Sequence, residues 1–155
     1  MNHEKWLELT IEMAITNVKN GGGPFAAIIV KDGEIIGSGT NLVESLYDPS
    51  AHAELLAIKE ACARLLTLDL SDCVLYASGE PCPMCLGASY WATIGEIYYA
   101  CSKQDAYEEV GFANPLKNFF PDQQLTPKKR SIPFIQQKPA NATAPFIEWD
   151  KRQTK

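Results

Sequence analysis

CVLYASGEPCPMCLGASYWA, residues 73–92, opens with six apolar or small residues, 73–78, that read as a buried strand. Gly79-Glu80-Pro81 interrupts the run, and a helix is expected from about 82 to 92. A strand that feeds directly into a helix is half of an α/β unit. Cys82 and Cys85, three residues apart, share one face of the helix's opening turn. Partial positive charge at a helix N-terminus favours thiolates there. Two cysteines at this spacing are half of a metal site or a redox pair.

Some thirty residues earlier stands His52-Ala53-Glu54. A helix is expected over about 51–66, with Ser50 as its N-cap and Leu55, Ala57, Ile58, Ala61, Cys62 and Leu65 as its apolar content, so His52 and Glu54 fall in its first turn. One imidazole (His52) and two thiolates (Cys82, Cys85) are good ligands for a single zinc ion, and three protein ligands leave the fourth position open, as in a catalytic site. Such an ion lowers the pKa of a bound water to about 7. Glu54, two residues from His52, is then placed to act as general acid and base. A closed structural zinc, with Cys62, Cys73 or Cys101 as fourth ligand, is one alternative, and a redox pair that leaves His52 and Glu54 without a role is another. These three cysteines otherwise read as small core residues.

Upstream, residues 2–19 read as an amphipathic helix whose core stripe is Leu7, Ile11, Ala14, Ile15 and Val18. His3, at its start, reads as a solvated surface residue. Asn20-Gly21-Gly22-Gly23-Pro24 ends that helix. Residues 25–30 form a continuous apolar strand, joined by the turn Lys31-Asp32-Gly33-Glu34 to a returning strand, 35–40. A polar loop covers 44–50. Downstream, 96–100 is a fourth strand, 103–110 a short helix, 132–137 a fifth strand and 145–152 a terminal helix with Pro145 at its first position; 111–130 has no clear pattern. The alternation, without repeats, reads as one α/β domain over 1–155, a mixed sheet with helices on both faces.

The 155 residues suffice for one core, and no apolar run approaches the roughly 20 residues that span a bilayer. Glu4, Lys5, Glu8 and Glu12 interrupt the first segment, so no signal peptide is expected. The odd count of five cysteines fits a reducing compartment, with the cytoplasm as the expected location. A net charge of −5 provides no basic face for a long polyanion, so the expected partner is a small molecule rather than nucleic acid or a membrane. Lys128-Lys129-Arg130 reads as a solvated loop.

The order His-x-Glu followed by Pro-Cys-x-x-Cys resembles the signature of the zinc-dependent base deaminases. The chain is similar over nearly all its length to the cytidine deaminase superfamily, and within it to the short bacterial guanine deaminases. The stretches that carry the likeness are Gly-Gly-Pro-Phe (22–25), Ile-Val-Lys-Asp-Gly (29–33), Asp-Pro-x-Ala-His-Ala-Glu (48–54), Glu-Pro-Cys-Pro-Met-Cys-Leu-Gly-Ala (80–88), Tyr-Trp-Ala (90–92), Gly-Phe (111–112), Ile-Pro-Phe (132–134) and Pro-Phe (145–146). The resemblance implies a three-layer α/β/α fold around a mixed five-stranded sheet. It implies one zinc per chain and hydrolytic deamination of a nucleobase, guanine to xanthine plus ammonia. It further implies that Asn41 binds the base edge, that Phe25 and Trp91 help form its pocket, that the backbone of Ala27 lies beside it, and that the protein is a homodimer with exchanged C-terminal segments.

Two departures stand out. Where guanine-branch relatives carry an acid soon after the Gly-Phe pair, this chain has Asn114, which keeps an acceptor, adds a donor and drops the charge. The tail, 149–155, is shorter than in some relatives. Competing readings are deamination of another amino-heterocycle (guanosine, a pterin-like or a cytosine-type base), a tRNA adenosine deaminase, and a zinc-stabilised binding protein without turnover.

Overall fold

Side chains along a strand alternate between the two faces of its sheet, and here each face meets a different layer of helices. The computed structural model describes residues 2–153. Four strands, β1 (Ala26–Lys31), β2 (Glu34–Thr40), β3 (Val74–Gly79) and β4 (Glu96–Cys101), form one sheet in the order β2-β1-β3-β4. β1 is antiparallel to β2 and β3, and β3 is parallel to β4. The β1–β2 connection is the expected Asp-Gly turn, with φ of 50° at Asp32 and 78° at Gly33, both in the left-handed region that a two-residue hairpin requires.

Ala27, Ile29, Leu75 and Ala77 point to one side, where Ala53, Ala57 and Ala61 of helix α3 (Ala53–Leu65) and Ala88 of α4 (Pro83–Trp91) pack on them. Ile28, Val30 and Tyr76 point to the other side, against Trp6, Leu7, Leu9 and Met13 of α1 (His3–Lys19). The result is a three-layer α/β/α arrangement. α3 lies unusually close to β2. A Cβ on Gly37 would overlap the Ala57 carbonyl oxygen, and one on Gly39 the Ala53 carbonyl oxygen. Two glycines at a spacing of two, on one face of a strand, are what allows this approach. A single-turn helix, α2 (Val43–Leu46), follows β2, and a π-helical turn (Gln104–Glu109) follows β4.

The chain divides into two compact units, the larger ending at Phe112 and the smaller beginning at Ala113. The smaller unit contains α5 (Phe119–Gln123), a 3-10 turn (Pro127–Lys129) and α6 (Ala144–Gln153).

Besides α2, which occupies 43–46 where a polar loop is expected, the structure departs from the sequence expectations in four places. The sheet has four strands among the described residues, not five: 132–137 forms no strand. Pro133 supplies no N–H for a ladder, and Ile132, Phe134 and Ile135 are exposed rather than alternately buried. Second, the buried residues of α1 are Thr10, Ala14 and Asn17, whereas Ile11, Ile15 and Val18 remain 40–51% exposed. Leu7 of the expected stripe packs on the sheet and Ala14 is buried, so only part of that stripe is taken into the core. Third, α3 is capped by His52, not Ser50, whose N–H and hydroxyl are turned back onto the Asp48 carboxylate. Fourth, His3 is not merely solvated: its Nδ1 is 2.8 Å from the Tyr76 hydroxyl and its ring stacks on Tyr98 at 3.9 Å. The terminal helix is found, beginning at Ala144 with Pro145 second. Thr154 and Lys155 of the expected tail lie outside the described residues.

Candidate active site

Two helix N-termini converge on one point. His52 caps α3 with extended φ/ψ (−74°, 149°), and Glu54 is the second residue of that helix. Cys82 caps α4 with similar angles (−70°, 169°), and Pro83, which has no N–H to satisfy, starts the helix and places Cys85 one turn in. His52 Nδ1 lies 3.6 Å from Cys82 Sγ and 3.5 Å from Cys85 Sγ, and the two sulfurs are 3.6 Å apart. Tetrahedral bonds of about 2.3 Å to sulfur and about 2.1 Å to nitrogen demand edges of about 3.8 Å (S to S) and about 3.6 Å (S to N). The triangle formed by these residues therefore has the size of one face of a zinc tetrahedron. Among the described residues this is the one His/Cys/Asp/Glu group that could hold a metal ion, and Cys62, Cys73 and Cys101 lie apart from it as free thiols. A closed structural site has no fourth cysteine to draw on.

The electrostatics of the cluster are tightly coupled. Cys85 beside it, and then His52, hold the Cys82 thiol down to about 4. The same contact with Cys82, together with burial, drives the Cys85 thiol well above its ordinary value. His52 is raised by its bond to Cys82. Glu54 is 6% exposed, and burial raises its carboxyl above the usual range. Its Oε2 accepts from the Cys85 thiol at 3.5 Å, so an acid that holds a proton more readily than usual stands directly against the ligand triangle.

Phe25 and Asn41 are brought together at the end of the β1–β2 pair, where the Asn41 N–H donates to the Phe25 carbonyl at 3.0 Å. The next residue, Leu42, donates to Ala51 O at 3.0 Å, which ties this corner to the residue before His52. Phe25 also lies against Gly79, at the end of the strand that leads to Cys82. Ala27 is fully buried in mid-sheet between Gly39 and Ala77. Trp91 is 89% exposed on the last turn of α4. It is six residues beyond Cys85 and hence about 240° round the helix from it. Asn114 belongs to the smaller unit, where its side-chain oxygen accepts from Leu116 N at 3.1 Å.

Sequence reading gave no role to Tyr107. Phe112 packs edge-on to Phe25 at 5.7 Å and stacks with Tyr107 at 6.2 Å. Burial and then the Cys82 charge raise the Tyr107 hydroxyl. These aromatics, with Ile11, Ile15 and Val18, line a mostly apolar cavity of about 570 Å³ in the larger unit. An aromatic in an otherwise acidic segment, Tyr107 between Asp105 and Glu108, was the available signal.

Residues 1–101 match the cytidine and deoxycytidylate deaminase zinc-binding region. The chain belongs to that deaminase family. Within the family it is closely related to short bacterial guanine deaminases. It is 45% identical over 150 residues to the guanine deaminase of Bacillus subtilis strain 168, an alignment that covers 96% of this chain and 94% of that one. The X-ray structure of guanine deaminase from Bacillus subtilis superposes with a TM-score of 0.89 at 44% identity, covering 97% of this chain and 95% of that one. The tRNA-specific adenosine deaminase of Aquifex aeolicus is 46% identical over 100 residues, but that match covers only 64% of this chain and 66% of its own. The His52, Cys82 and Cys85 cluster is the single zinc site expected of a family member. Among the described residues no helix is long and apolar enough to cross a membrane.

Proposed function

We propose that this protein is a zinc-dependent aminohydrolase that converts guanine to xanthine and ammonia. The observation that carries the reading is coverage. Similarity to a guanine deaminase runs through 96% of the chain, both units included, whereas similarity to tRNA adenosine deaminases covers 64% to 74% of it. The chain acts as a single deaminase domain over 1–155.

His52, Cys82 and Cys85 would hold the metal, which when bound would supply a water activated at neutral pH. Glu54 accepts a proton from the attacking water and returns it to the amine at C2, so that water adds, the C–N bond breaks and ammonia leaves. Its burial suits it to hold that proton between the two steps. Asn41 offers a donor and an acceptor to the base edge, Phe25 stacks on its face, and the backbone at Ala27 borders it. Asn114 takes the place of the acid that meets the guanine N–H groups in relatives.

The protein works on a small base in the cytoplasm, consistent with five free cysteines and a net charge of −5. It is a homodimer that exchanges C-terminal segments. The exposed Ile11, Ile15 and Val18 around the apolar cavity, and the exposed Phe146, Ile147 and Trp149 of α6, are apolar surfaces that such an exchange would cover.

The deciding measurement is ammonia release by zinc-loaded protein from guanine, guanosine, adenine, cytosine, an aminopterin and a tRNA anticodon stem. Guanine turnover well above the rest is expected, rising further in Asn114→Asp. Turnover of the anticodon stem with guanine inert would overturn the assignment. Light scattering is expected to give the mass of two chains.

A further inference from the structure

Asn17 is a polar residue buried on the sheet-facing side of α1, only 9% exposed. It takes no part in the proposed chemistry. Its Nδ2 donates to two carbonyls from distant parts of the chain, Gly23 O at 2.9 Å and Asn41 O at 2.9 Å. An amide nitrogen has two hydrogens to give, and both have a partner here.

These two carbonyls flank the corner assigned to the base. Gly23 O also accepts from the N–H of Phe25 at 2.9 Å, and the N–H of Asn41 donates to Phe25 O at 3.0 Å. The Asn41 side chain is confined in turn. Its Oδ1 is 3.3 Å from Val43 N, and a Cβ on Gly23 would come within 2.8 Å of its Cγ. A Cβ on Gly22 would overlap the Asn17 amide. The glycines at 22 and 23 thus leave room for the Asn17 and Asn41 side chains.

We infer that Asn17 is a positioning residue for base recognition, fixing Asn41 and Phe25 relative to each other without touching substrate. The inference rests on the reading of Asn41 as the residue that meets the base. A displacement on the order of 1 Å at such a residue costs about 100-fold in rate. Without Asn17, the Gly23 and Asn41 carbonyls lose the side-chain bridge between them and keep only the backbone bonds through Phe25, while the zinc ligands, on α3 and α4, keep their own supports.

The test is a double-mutant cycle on zinc-loaded protein, read as kcat and KM for guanine in wild type, Asn17→Ala, Asn41→Ala and the double variant. Asn17→Ala is expected to lower kcat/KM about 10- to 100-fold, chiefly through KM, with zinc stoichiometry unchanged. In the Asn41→Ala background most of that loss is expected to vanish, because the residue it acts through is gone. Losses that multiply in full would overturn the inference and leave Asn41 as the base-binding residue. If Asn41→Ala alone leaves kcat/KM unchanged, the base-binding reading falls, and this inference with it. Asn17→Gln keeps both donors but carries them one methylene too far, and serves if the alanine variant does not fold. A folded, zinc-loaded Asn17→Gln protein with wild-type KM would also overturn the inference.

Discussion

Glu54 combines three properties that rarely coincide: burial, a raised carboxyl, and a thiol of the ligand triangle as its neighbour. Burying a carboxylate against sulfur ligands costs stability, and a side chain kept there for packing alone would be better replaced by an apolar one. Glu54→Gln keeps the shape and removes the proton carrier. It is expected to retain one zinc per chain and an unchanged circular dichroism spectrum while ammonia release falls about 100- to 10,000-fold. Metal analysis beside a turnover assay checks this, and full activity with zinc bound would remove Glu54 from the mechanism. The same pair of measurements separates an enzyme from a binding protein that merely uses zinc to hold its fold.

At the scale of the element, the first turn of α3 is positioned by the strand beneath it. Gly39 has no side chain because the Ala53 carbonyl, one residue from His52, occupies the space that a Cβ would need. Gly39→Ala is expected to cost about 1–3 kcal/mol through overpacking. It should also lower kcat/KM, because the displaced turn carries His52 and Glu54; thermal melting, zinc content and turnover together check this. The other end of α3 provides a contrast. Leu66 closes the helix at φ 53° with its side chain 92% exposed, so a leucine holds a left-handed position that suits glycine. Leu66→Gly is expected to raise stability by about 0.5–1 kcal/mol, seen as a higher denaturation midpoint, with turnover unchanged.

For the whole molecule, the metal ties the start of α3 to the start of α4, two elements separated in sequence by β3. Zinc binding is therefore coupled to folding. Chelation of the zinc is expected to lower the melting temperature, and zinc at 100 times its dissociation constant should restore about 2.7 kcal/mol. A second whole-molecule response comes from acid. Hydrogen bonds from Ser50 hold Asp48 below its ordinary value, those from Thr93 and Ser71 hold Asp69 there, and those from Ser102 hold Asp105 there. The bond to Lys31 does the same for Asp72. A carboxyl depressed in the fold contributes stability that is complete above its unfolded pKa and is lost as pH falls through the folded one. The chelated protein is accordingly expected to lose stability progressively below about pH 4, followed by melting temperature against pH.

The sequence by itself determined the elements that carry chemistry. Alternation and turn residues are local signals, so β1 to β4, the Asp-Gly hairpin and the two helices bearing His52, Glu54, Cys82 and Cys85 were all readable, as was the likeness to a deaminase. What it could not determine depends on which surfaces meet. Of the stripe Leu7, Ile11, Ala14, Ile15 and Val18 on α1, Leu7 packs on the sheet and Ala14 is buried, whereas Ile11, Ile15 and Val18 border the apolar cavity, because the surface each residue meets is set by the neighbouring layers. Residues 132–137 have strand-like composition, but a strand exists only where a neighbouring edge accepts its hydrogen bonds, and Pro133 gives up one of them. Tertiary structure alone brought the three ligand atoms, separated by thirty residues of chain, into a triangle of the size zinc requires, and alone set the amide of Asn17 against carbonyls at 23 and 41. Distances between remote segments come from the packing of layers, which no local pattern encodes.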